Sequence, residues 1–467
     1  MEFGPHGPRR LRPRGAPLAA AIVAVTLAAG CSSKDKALTP IPAYACPRPV
    51  VTSSYTAGNV QALGQKTVGT VVQFNVPANT ASITVVLQGV KSLDRVTQGN
   101  TVIGNNVAPD RLTDPNGVVW FAVSTSIPTQ APNGLKVYYP VFFDSWMVST
   151  GTLTIPNTSA GLATPLPSGT WRFTVYDDAG TGSYEPGIYD VTVLTKPGPA
   201  GASGLVDASF YLVTTSGLTA SAAATDPDVQ RLVQTLDTYL AGAGLGLGLV
   251  TFYDVNDAAR AAYSTINVDS TGPCDELAQL LTLSQPGNGL DLFLVDQIDS
   301  ASGNVVGMDG SIPGPSSFGG TIQSGMVVSL ENLGFERAAG DCALAAPVEI
   351  GNCGDDFVAY IAAHEAGHFM GLYHTTESNG WFVDPISDTS TCLCSACRPG
   401  GATLPCYTLS GTSPSTYEMR AQDCSASSTC GGGDNLMFWQ VTGSSTISKG
   451  LLSAQQGQVM RANPVVQ

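Results

Sequence analysis

At 467 residues, with 43% hydrophobic and only 12% charged positions, the chain is long enough for more than one core and too apolar to be disordered. Its formal charge is −15, and a leader holding four Arg against one Glu masks a still more acidic remainder; a nucleic acid is excluded as partner on those grounds. The acidity serves solubility, although Asp-rich turns at Asp177-Asp178 and Asp254-Val255-Asn256-Asp257 could hold calcium.

Arg9, Arg10, Arg12 and Arg14 precede an apolar run from Leu18 to Ala29 that is too short to span a bilayer, the layout of a secretion signal over residues 1–30. Its end, Leu27-Ala28-Ala29-Gly30-Cys31, resembles a bacterial lipoprotein signal, with the usual leucine one position early. The resemblance implies cleavage before Cys31 and a lipid on its sulfur, hence an exported protein anchored in the cell envelope, at the outer membrane or cell surface. An ordinary signal with an incidental cysteine is the alternative. Setting Cys31 aside leaves ten of eleven cysteines, an even number that oxidising conditions outside the cytoplasm would pair as disulfides. Residues 31–58, rich in Pro, Ser and Thr, read as a tether that carries Cys46.

From 59 to 198, short β-type segments alternate with Gly, Pro and Asn turns. Ile83, Val85 and Leu87 alternate with Thr84, Val86 and Gln88, and Trp171, Phe173 and Val175 with Arg172, Thr174 and Tyr176, which predicts an all-β sandwich or jelly roll. A Pro/Gly linker over 197–204 leads to a different pattern, alternating strands and helices over 205–467. Strands are expected at Ser209 to Thr214, Leu249 to Tyr253, Leu290 to Ile298 and Met326 to Leu330. Asp226 caps a helix with Pro227 at its first position; Val229, Leu232, Val233, Leu236, Tyr239 and Leu240 form the buried stripe, and Gly242 ends it. Ala301 to Gly320, rich in Gly, Ser and Pro, reads as a loop. The fold class is therefore α+β and multi-domain.

Three of four histidines fall within eleven residues, His364-Glu365-Ala366-Gly367-His368-Phe369-Met370-Gly371-Leu372-Tyr373-His374. Residues four apart share a helix face, so His364 and His368 can aim at one point. Asp355 or Asp356 is the expected N-cap, and Phe357, Val358, Ile361 and Ala362 give the helix an apolar face. Gly371 can end the helix in a left-handed conformation and swing His374 back as a third ligand. Three imidazoles leave zinc a fourth position for water, and Glu365 beside the first ligand is placed to take that water's proton. The implied reaction is hydrolysis of a peptide bond.

These residues resemble the signature of the metzincin clan of zinc endopeptidases, H-E-x-x-H-x-x-G-x-x-H followed by a methionine turn. Asp434-Asn435-Leu436-Met437-Phe438-Trp439 supplies the turn and looks like the pappalysin branch, whereas Thr376 stands where that branch often has an aromatic. Met437 would be an apolar floor beneath the metal, or an ordinary core methionine. Some metzincins place a metal-binding tyrosine where Trp439 stands, so no such ligand is expected. The resemblance implies a domain with an edge strand lining the cleft, to which an extended protein or peptide substrate could add. Between His374 and the turn, an insertion over 375–434 holds Cys392, Cys394, Cys397, Cys406, Cys424 and Cys430, read mainly as disulfides although the C-L-C-S-A-C run could suggest a thiolate-bound zinc. Pro167 to Phe173 with Gly187 to Val191 looks like accessory β-domains of secreted bacterial proteases, which bind substrate or merely pack. Cys46 could be a latency ligand, but Ala45-Cys46-Pro47-Arg48 matches known switch sequences poorly. The competing reading is a surface adhesion lipoprotein whose zinc module is structural; Glu365 argues against it, since a structural site needs no base. The sequence fixes no oligomeric state.

Overall fold

The computed structural model describes residues 51–92, 96–97, 101–102, 105–122, 136–137, 144–145, 150–178, 187–269, 275–301, 303, 305–406, 416–425, 430–441 and 452–467. The leader, Cys31, Cys46 and Cys274 lie outside them. Among the described residues no helix is long and apolar enough to cross a membrane. The architecture is mixed α+β on several sheets.

The amino-terminal alternation folds into two facing antiparallel sheets. One runs β1 (Asn59–Thr67), β8 (Gly187–Pro197), β3 (Thr80–Ser92), β6 (Thr150–Ile155); the other runs β2 (Val71–Val76), β7 (Gly169–Asp178), β4 (Asn105–Thr113), β5 (Val119–Phe121). Ile83, Val85 and Leu87 meet Trp171, Phe173 and Val175 in the core between them. On β7 the intervening residues are wetter, as single-sided alternation requires: Arg172 is exposed and Thr174 and Tyr176 are half-buried. On β3 they are not, because Thr84 and Val86 are buried as well. The outer face of this first sheet is covered, Val86 and Leu194 packing with Tyr55 and with Phe318 of the second half.

Hydrogen bonds continue that seam. Thr150 N donates to Gln323 Oε1 at 2.9 Å, and Lys196 Nζ donates to the carbonyls of Arg461, Asn463 and Val466 at 2.6, 3.0 and 2.7 Å. Residues 51–58, the end of the stretch read as a tether, also lie along it: Ser54 N donates to Ser317 O at 2.8 Å, and Tyr55 is 4% exposed.

The second half is built on a five-stranded sheet ordered β10 (Leu245–Asp254), β9 (Gly204–Val213), β11 (Gly289–Val295), β13 (Met326–Ser329), β12 (Gly307–Asp309). Neighbours are parallel except β12, which runs antiparallel to β13 at the edge. Period-two alternation sends Phe210, Leu292, Leu294 and Val328 to one face, against helices α1 (Pro227–Ala241) and α2 (Gly354–Phe369). Tyr211, Phe293, Val295 and Val327 go to the other, against the short helices at 257–263 and 276–281.

α1 follows its sequence signals: Asp226 accepts from Asp228 N and Val229 N, Pro227 is the first helical residue and Gly242 the C-cap. The stripe omits one residue that decides how α1 meets α2. Arg231, 1% exposed, points inward and donates from Nε and Nη2 to the two oxygens of Asp356 at 2.7 and 2.8 Å. Thr235 Oγ1 and Glu349 N donate to the same carboxylate, while the remaining guanidinium donors take the carbonyls of Ala343, Leu344, Ala346 and Pro347. Every charge is matched, which is the condition under which a buried ion pair is tolerated.

The pair also explains a departure from expectation. The N-cap of α2 is Cys353, and Asp355 and Asp356 lie in the first turn. Asp356 is committed to Arg231 and Asp355 accepts from Gly334 N at 2.7 Å, so neither caps; a disulfide from Cys353 to Cys342 anchors the start.

The segment read as a loop from Ala301 to Gly320 contains a strand. Gly307–Asp309 forms the edge β12, beyond Met326–Ser329, and lies against α2; any side chain at Gly307 would strike Ile361 and Glu365.

Candidate metal centre

α2 is buried along nearly its whole length, only Phe357 being partly exposed, so the imidazoles it carries are held largely by packing. His364 and His368 lie one turn apart on this helix. Their Nδ1 atoms bond the carbonyls of Leu436 (2.6 Å) and Leu372 (2.8 Å). A carbonyl only accepts, so each Nδ1 carries the proton and each Nε2 presents a lone pair.

The chain then turns. Gly371, at φ +105°, donates to His368 O, and Leu372 N donates to Gly367 O; a side chain at that φ would be strained. The turn returns His374 to the same point, its Nε2 lying 3.3 Å from that of His364 and 3.1 Å from that of His368. Its Nδ1 is held 3.0 Å from Glu377 Oε1.

Among the described residues, two groups of three or more His, Cys, Asp or Glu come together with metal-binding atoms within 4.8 Å. One is this trio. The other, Cys342, Cys353 and Asp355, has both sulfurs bonded to each other. At the two Asp-rich turns, Asp177 accepts from Tyr189 OH, Asp254 from Ala220 N, and Asn256 caps the helix at 257–263.

The electrostatics of the trio suit a cation. Burial pulls His364 down to about 3, and His368 well below the usual histidine range, with the charge of His374 adding to both. Burial pulls His374 down too, but Glu377, with help from Glu365, outweighs it and leaves it raised. Burial thus holds two of the imidazoles toward the neutral form, while Glu377 holds the third toward its charged form. Each ring's other nitrogen is anchored, so the donor set is oriented before any ion arrives.

Glu365 is 7% exposed and close enough to His374 for each to shift the other's ionisation. Burial raises its carboxyl to about 8, against the pull of His374 and of a hydrogen bond from Asp309 N–H on edge strand β12. A cation on the trio opposes that rise and favours the carboxylate.

The 434–439 segment lies beneath. Met437 packs against Gly367, where an added Cβ would sit 2.5 Å from its sulfur. Thr375 N donates to Met437 O at 2.9 Å, tying the turn that carries His374 to this floor. Asn435 accepts from Met437 N and exchanges amide hydrogen bonds with Gln456 of the terminal helix, Ala454–Ala462. Trp439 turns away and donates to Met419 O at 2.6 Å. The six cysteines of the insertion pair as Cys392–Cys424, Cys394–Cys406 and Cys397–Cys430, which leaves the C-L-C-S-A-C run no thiolate for a metal.

Sequence reasoning named His364, Glu365, His368 and His374, and the structure brings them together. It missed Glu377 and Asp309. Glu377 had a visible signal, an acid three residues after the third histidine; Asp309 acts through its backbone and had none.

No family model matches the chain, and no curated protein matches it. Among solved structures, one match is the crystal structure of protein YXIM_BACsu from Bacillus subtilis, 10% identical over 54% of this chain and 63% of that chain, with a TM-score of 0.15. A likeness at that level carries no argument about fold or function.

Proposed function

We propose that the protein is a zinc-dependent endopeptidase, exported and anchored to the cell envelope through Cys31, that hydrolyses peptide bonds of protein or peptide substrates. The observation that carries this reading is the convergence of three anchored Nε2 atoms beside a buried Glu365. Three nitrogens with no carboxylate among them suit zinc better than a hard cation such as calcium or magnesium. Zinc at this centre supplies a Lewis acid that polarises the scissile carbonyl and acidifies water.

The chain's own residues do the rest. His364, His368 and His374 would hold the ion through their Nε2 atoms. Glu365 takes a proton from water as it attacks the carbonyl carbon, then delivers it to the departing amine nitrogen. Edge strand β12, which already reaches Glu365 through the Asp309 N–H, would give an extended substrate a strand to pair with. The site, the methionine turn and the edge strand together support the metzincin resemblance of the sequence.

The test is cleavage of an unfolded protein substrate by the leaderless chain. Activity lost to a chelator and restored by zinc supports the proposal; activity indifferent to chelation contradicts it.

A further inference from the structure

The insertion between His374 and the 434–439 segment makes contacts that lead back to His374. The geometry points to Glu377 as the positioning residue of the third metal ligand, held in place by the disulfide-linked insertion. This rests on the metal reading proposed above.

Among the three imidazoles only His374 has a side-chain partner at Nδ1; the other two use main-chain carbonyls. A carboxylate there fixes ring orientation and strengthens the donor nitrogen more than a neutral carbonyl does. His374 also comes from a turn rather than a helix, and its side chain is 22% exposed, so it has the least packing to hold it.

Glu377 in turn begins a tight turn closed by Glu377 N to Phe382 O (3.0 Å) and Gly380 N to Glu377 O (2.8 Å). The disulfide-linked part of the insertion, from Cys392 on, grips this turn and the residue before it at three points. Cys392 N donates to Thr376 Oγ1 at 3.1 Å, Cys394 N to Gly380 O at 3.0 Å, and Met419 N to Ser378 O at 2.7 Å. Gly380, at φ +60°, has no room for a side chain: a Cβ would lie 2.4 Å from Met419 and 2.8 Å from Cys394. Cys392 and Cys394 are themselves tied to Cys424 and Cys406. A continuous path of covalent and hydrogen bonds therefore runs from the disulfides to Glu377 and on to His374.

The experiment is competition for zinc between a chromophoric chelator and the purified leaderless protein, comparing the parent with Glu377→Gln, Glu377→Ala and the double variant Cys394→Ser/Cys406→Ser. Thermal unfolding of each metal-free form is measured alongside. The expected result is zinc affinity about tenfold weaker for Gln, which keeps an acceptor but loses the charge, and about a hundredfold weaker for Ala. The double variant should fall between parent and Ala, and the metal-free melting temperatures of the two Glu377 variants should match the parent. Parent-like affinity in Glu377→Ala overturns the inference, as does weakening that merely follows a lower metal-free melting temperature. A parent that binds no zinc overturns the metal reading itself.

Discussion

The two helix-borne imidazoles of the trio and the turn-borne one are built on different principles. His364 and His368 stand on a helix buried almost all round, 5% exposed each, and lean on main-chain carbonyls. His374, with its side chain 22% exposed, leans on a carboxylate in a turn that the insertion contacts. The first half of the centre is set by backbone geometry and core packing, and few side-chain changes outside it can reach it. The second is adjustable, because one partly buried turn and one acid decide how well the third nitrogen is presented.

Removing a ligand from the fixed half should have the largest effect. His368→Ala leaves two donors and is expected to weaken zinc by more than the roughly hundredfold that loss of a supporting partner costs, read by chelator competition. Retention of parent-like affinity would break the distinction between ligands and supports.

Next comes the anchor of that half. Arg231→Ala leaves Asp356 buried without its cation at the first turn of α2, and should cost about 3–5 kcal/mol in urea unfolding. Because the ligands lie farther along the helix, zinc bound to the folded fraction should keep its affinity.

A pH prediction sharpens the contrast from the far side of the sheet. Burial raises Asp291 to about 7, against hydrogen bonds from Tyr211 and Ser209. A carboxyl whose folded pKa lies above its unfolded value near 3.8 binds the proton more tightly when folded. Its favourable contribution is full below that value, declines as pH rises toward about 7, and is gone above it. Asp291→Asn should therefore lose less melting temperature than the parent between pH 5 and pH 8; equal losses would show that Asp291 is not the group involved. The smallest effect expected is from Met437→Leu, a volume-conserving change beneath the ligands that should cost less than about 1.5 kcal/mol and leave zinc stoichiometry unaltered.

What could be read from the sequence follows the same division. Local signals worked: Asp226, Pro227 and Gly242 mark α1, the alternation at Trp171, Phe173 and Val175 marks a sheet face, and the spacing of His364, His368 and His374 places them at one point. Long-range partners did not show. Asp355 and Asp356 look like caps until Gly334 N and Arg231 claim them. Val86 looks like an outward residue until Phe318 covers it. Strand β12 spans three residues of a Gly-rich run, too short for any period to appear. The pairing of six insertion cysteines admits many connectivities in sequence and one in space.

The most direct test of the central claim is zinc content measured together with cleavage of an unfolded substrate, in the leaderless parent and in Glu365→Gln. One zinc in each protein, with cleavage at least about a hundredfold lower in the variant, is the result expected of a general base beside an intact metal centre. No zinc in the parent, or equal cleavage by both proteins, would contradict it.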